Sequence, residues 1–165
     1  ELMLPPEVTS VSADATVINC DLGPRGNVFS WPEPAPGIRL DKMRFKNENA
    51  AVKFFTEPVK LGAAGIRNRL SGEYIVYAFN TDELNTFGVW INRGGWDGYH
   101  HVAIEPTNGA PDPLDLAVGD WKRFSTLGAG QTRSWELSVY LGVSGNLDGD
   151  DFLLQFSPHT ERIKP

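Results

Sequence analysis

The feature that most constrains this chain is the regular interruption of short β-branched and aromatic runs by turn residues. Turn signals fall at Gly23-Pro24, Gly62, Gly94-Gly95, Asn108-Gly109, Gly128 to Gly130 and Asp148-Gly149. Between them lie runs that read as strands: Ala15 to Asp21, Val52 to Phe55, Gly72 to Asn80, Gly88 to Asn92, His100 to Glu105, the long Gln131 to Val143, and Phe152 to Phe156. No window of a dozen residues carries apolar residues at helical spacing with capping residues at its ends. Asp112 to Ala117 has room for one helical turn. Many short strands with turns between them predict an all-β sandwich or barrel. In the long run, Trp135, Leu137, Val139 and Leu141 share one face, and Trp135 reads as core.

The 165 residues suffice for one domain with its own core. The expected boundary lies near residue 143: a sandwich over 1–143, then a more polar C-terminal extension over 144–165. A net charge of −6 argues against a nucleic-acid binder, which needs basic surface to displace counterions. Arg67 and Arg69 are the nearest thing to a basic cluster and read as a solvated strand face. A single cysteine, Cys20, rules out an intrachain disulfide and reads as a buried thiol. No run approaches the length of a membrane span. The start lacks the basic and apolar regions of a signal peptide, so a cytoplasmic site is the expectation, with export left open.

Chemistry concentrates in Gly94 to Ala117 (GGWDGYHHVAIEPTNGAPDPLDLA). There a strand ends on Glu105, and Pro106 is expected to stop the ladder. A carboxylate on a rigid sheet is well placed for acid–base work. Trp96, in the adjoining Gly-rich loop, suits stacking on the C–H face of a sugar, and Trp90 reads as core or site. Asn92 and Arg93 precede that loop as candidate partners for sugar hydroxyls, with pairing to a carboxylate as the alternative for Arg93. His101 lies four residues before Glu105 on the same strand face. Glu105 with Asp112 or Asp115 could imitate a glycosidase carboxylate pair. The run Asn146 to Asp151 hints at calcium but fails the EF-hand spacing, and no Cys/His pattern supports zinc, so no metal or cofactor is expected.

The segment VAIEPTNGAPDPLDLA resembles the signature of the aldose 1-epimerase (galactose mutarotase-like) family. NVFSWPEPAPGIRLDKM (Asn27 to Met43) and LGAGQTRSWELSVYLG (Leu127 to Gly142) are similar to two further family segments, in the same order. The resemblance implies a twisted antiparallel β-sandwich of the galactose mutarotase type, matching its C-terminal half. It implies an isomerase that interconverts sugar anomers, with Glu105 as base and Asp41 as substrate ligand. The family's catalytic histidines find no match in His100, His101 or His159, which leaves the general acid open to a tyrosine, a second subunit or another group. A non-catalytic carbohydrate-binding module remains an alternative. So does a fragment or subunit of a longer protein, whose partner would be a second copy or a missing N-terminal half. The expected ligand in the first two cases is a mono- or oligosaccharide.

Overall fold

The computed structural model describes residues 1–18, 22, 24–43, 48–145 and 151–157. Cys20, His159 and most of the acidic run at 146–151 lie outside the described residues. Among those described, nine strands run in the order β1 (Leu2–Met3), β2 (Ser10–Ile18), β3 (Val28–Ser30), β4 (Ala50–Thr56), β5 (Ala63–Arg67), β6 (Glu73–Phe79), β7 (Thr86–Arg93), β8 (His100–Thr107) and β9 (Leu137–Val143). A short helix α1 (Leu114–Gly119) follows β8, and a 3-10 turn spans Phe152–Phe156. No helix among the described residues is long and apolar enough to cross a membrane.

The strands form two antiparallel sheets, a four-stranded one ordered β1-β5-β6-β9 and a five-stranded one ordered β3-β2-β4-β7-β8. The architecture is therefore an all-β sandwich. Alternation along each strand decides which side chains fill the space between the sheets. From the five-stranded sheet these are Val11, Ala13, Phe29, Val52, Phe54, Phe87, Val89, Ile91 and Ile104; the other sheet contributes Leu2, Ala64 and Phe79. Phe54 and Phe87 are fully buried, and Phe79 packs on Phe87 with ring centroids 5.0 Å apart.

The far face of the four-stranded sheet is covered differently. Met3, Ala63, Val76 and Ala78 pack beneath Phe152 and Leu153 of the 3-10 turn. The run at 152–156, read as a strand from its composition, is thus a single tight turn that docks by its aromatic side chains on Tyr74.

Pro106 does not end its strand. It sits within β8 opposite Phe87. Strand β8 is the edge of its sheet, and Gly94 N–H donates to Tyr99 O at 2.9 Å, so odd-numbered β8 residues turn their backbone groups toward β7. Pro106 faces the free edge, where a missing N–H costs no ladder bond. The long run at 131–143 is a strand only from Leu137, and its apolar face is open. Trp135 is 61% exposed and Leu141 75%, with Leu137, Val139 and Val143 exposed beside them. Trp135 is therefore not core: β9 is also an edge strand, and nothing among the described residues of the facing sheet covers it.

Candidate functional site

The outer face of the five-stranded sheet carries a cleft. Strand register sets its floor: Lys53 on β4 lies beside Trp90 on β7, which lies beside Ala103 on β8. One row away, Phe55, Gly88 and Glu105 line up, and on the other side Ala51, Asn92 and His101. Lys53, Trp90, Trp96, Tyr99, His101, Glu105 and Asp112 together line a cavity of about 420 Å³.

Lys53 is the centre of this group. Its side chain is only 6% exposed, and its ammonium forms an ion pair with Glu105 and lies 3.5 Å from Asp112 Oδ2. Its ammonium lies over the Phe55 ring, with Nζ 5.2 Å from the centroid. Gly88 leaves the opening across β7 that this pairing needs: a Cβ there would come within 2.9 Å of Phe55 and 3.4 Å of Glu105 Oε2. Phe55 is sealed from above by Trp121, edge-on at 6.1 Å. Arg123 ties the segment carrying Asp112 and Trp121 to the sheet. Its guanidinium donates to Thr56 O and, at 3.2 Å, to Thr86 Oγ1. Burial pulls the Arg123 pKa down, and the Glu57 carboxylate 3.3 Å away opposes that shift.

The aromatic wall comes from the loop after β7. Trp96 stands 51% exposed, edge-on to Trp90 with centroids 6.1 Å apart. The loop backbone lies so close to β4 that a Cβ on Gly95 would meet the Ala50 carbonyl carbon at 2.5 Å. Asn92 holds the loop from below: its amide donates to Trp96 O at 2.9 Å, and its carbonyl accepts from Trp96 N–H at 3.1 Å. Trp90 Nε1–H donates to His101 Nε2 at 2.9 Å, so that ring nitrogen is engaged as an acceptor.

Of the residues singled out in the sequence, Glu105, Trp96 and His101 meet in this cleft. Asn92 belongs to it from beneath: it is fully buried, and its amide group serves the loop. Two others lie elsewhere. Arg93 points to the opposite face of β7, as alternation requires. It donates to Glu48 at 2.9 Å and to the carbonyls of Arg39 and Lys42, both at 2.6 Å. Asp41 is buried near the β1 end of the molecule, where Arg39 grips both carboxylate oxygens at 2.8 and 2.7 Å. Burial would raise the Asp41 pKa, but the Arg39 hydrogen bonds and the Lys42 charge outweigh it and hold the carboxyl below its usual range. Neither residue lines the Glu105 cleft. Arg67, read as part of a solvated face, is buried and paired with Glu1.

Lys53 and Tyr99 joined the site without having been singled out. Lys53 left one signal, as the lone charge inside the apolar run AAVKFF. A charged side chain on a strand buried on both faces demands a partner. Among the described residues no cluster of His, Cys, Asp and Glu is arranged to hold a metal ion.

No family model, curated protein or solved structure matches the chain.

Proposed function

We propose that the cleft binds a sugar ring and interconverts its anomers, with Glu105 as the base, on a sandwich of the galactose mutarotase type. One observation carries the reading. A carboxylate fixed on a sheet faces a cavity with aromatic walls at Trp90, Trp96 and Tyr99 and charged groups on its floor. Aromatic faces take the C–H side of a pyranose, and charged groups take its hydroxyls. The resemblance of residues 102–117 to the aldose 1-epimerases supports the choice of reaction. In it Glu105 removes the proton from the anomeric hydroxyl, the ring opens, and closure on the other face of the aldehyde gives the second anomer. General base catalysis of this kind contributes roughly 10²–10⁴-fold. Exchange spectroscopy on the anomers of glucose and galactose tests it. Acceleration over buffer that disappears in Glu105→Gln is expected. A protein that broadens the sugar signals without accelerating exchange would be a carbohydrate-binding module instead.

The open face of β9 favours a second reading, in which the chain is one part of a larger β assembly. Four apolar side chains along β9 stand exposed, Leu137, Val139, Leu141 and Val143, and Trp135 just before the strand is exposed as well. Contiguous apolar patches beyond roughly a few hundred Å² mark interaction faces. A second copy or further polypeptide strands would cover them. Light scattering on the chain at rising concentration reads this directly: association that Leu141→Lys abolishes supports it, and a monomer throughout refutes self-association.

A further inference from the structure

We propose that Lys53 is the proton donor that works with Glu105 in opening the sugar ring. This rests on the anomer-exchange reading of the cleft, and it supplies an acid that His101, the histidine lining the cleft, does not provide.

The geometry of the reaction sets the requirement. The hydroxyl oxygen that loses a proton and the ring oxygen that gains one are both bonded to the anomeric carbon. Acid and base must therefore sit side by side. His101 fails this condition. It lies four residues from Glu105, about 13 Å along the strand, and its Nε2 is taken by Trp90. Tyr99 belongs to the loop at the His101 end of the cleft, with its ring 6.4 Å from the imidazole. Lys53 meets the condition, because its ammonium contacts the Glu105 carboxylate directly and lines the same cavity. An ion pair presents each group in the form its role needs: a carboxylate to accept, an ammonium to donate.

The proton count closes. Glu105 takes the proton of the anomeric hydroxyl while C1=O1 forms. The C1–O5 bond breaks, and O5 takes a proton from Lys53 Nζ. The pair is then a neutral acid beside a neutral amine, so the net charge of the half-buried site is unchanged. After rotation about C1–C2, O5 attacks the other face of the aldehyde. Its proton returns to Lys53, and O1 recovers one from Glu105. Asp112 Oδ2, 3.5 Å from Nζ, is a second carboxylate oxygen that favours the proton's return to the amine.

The test compares anomer exchange of glucose and galactose for the parent chain, Glu105→Gln, Lys53→Met and Lys53→Arg, with near-ultraviolet circular dichroism as the check on folding. Lys53→Arg keeps a cation and an ion pair, but a guanidinium does not release its proton. A purely structural lysine would therefore be replaced by arginine with activity retained. A proton donor would not, and both Lys53 variants are expected to lose 10²-fold or more in kcat with KM little changed. A folded Lys53→Arg or Lys53→Met variant with activity within a few-fold of the parent would overturn the role of Lys53 while leaving that of Glu105 intact. A parent chain without activity would remove the anomer-exchange reading and this proposal with it.

Discussion

Asn92→Ala separates a ligand contact from a scaffold contact within the cleft. The Asn92 side chain is fully buried, and both ends of its amide are spent on the backbone of Trp96. Truncation removes two hydrogen bonds, each contributing about 1 kcal/mol net, and leaves the Trp96 N–H and C=O to find other partners. The expected loss is roughly 2–3 kcal/mol, which for a chain of this size lowers Tm by roughly 4–12 °C. Asn92→Asp should cost more: it keeps an acceptor for Trp96 N–H but buries a charge against the Trp96 carbonyl oxygen. Urea unfolding followed by tryptophan fluorescence measures both, and sugar titration of the folded variants measures the cleft. Affinity should fall along with stability, because the loop that presents Trp96 loses its anchor. An Asn92→Ala protein as stable as the parent, within about 0.5 kcal/mol, yet unable to bind sugar would refute the reasoning. Asn92 would then be a direct sugar ligand.

Trp96→Ala should behave in the opposite way. The ring is half exposed, so unfolding should be nearly unaffected, while sugar affinity drops roughly 3–10-fold for a lost stacking contact; unchanged affinity would place the sugar elsewhere. Acid should weaken the β1 end first. Burial raises the Glu1 pKa, but hydrogen bonds and charges from Lys42 and Arg67 outweigh it and bring the pKa down to about 2, and Asp41 is also held low. A depressed folded pKa means stability present above the ordinary carboxylate range and lost as pH falls toward about 2. The urea midpoint should therefore decline from pH 5 to pH 2, less steeply in Asp41→Asn, and a flat profile in the parent would contradict these pairings.

Much of the sandwich was legible in the chain because alternation of side-chain type is a local property. The runs at 52–55, 88–92 and 100–105 lie within strands, the run at 72–80 overshoots β6 by one residue at each end, and the helical turn expected at 112–117 overlaps α1. Strands β1, β3 and β5 escaped notice. They are two, three and five residues long, and β5 (AAGIR) lacks the β-branched and aromatic density that marks a strand. Glu105 and Trp96 were legible as site residues for the same local reason: a carboxylate on a strand and an aromatic ring in a glycine loop are visible without knowing their neighbours.

The amino-acid order alone determined that the chain would be β, where most strands would lie, and which side chains would share a face. It did not determine which faces would be covered, or which strands would be neighbours. Trp135 and Leu137 to Val143 alternate as a core strand does, yet they stand open because β9 ends its sheet beyond the reach of the facing one. Arg93 and Asn92 are adjacent in sequence, and the pleat sends them to opposite faces. Asp41 is drawn to Arg39 and Lys42 beside β1, away from the lining of the cleft. Lys53 meets Glu105 only because β4, β7 and β8 pair in the register that sets Gly88 between Phe55 and Glu105. Cross-strand register depends on the packing of all the strands at once, so the charged floor of the cleft belongs to the tertiary structure.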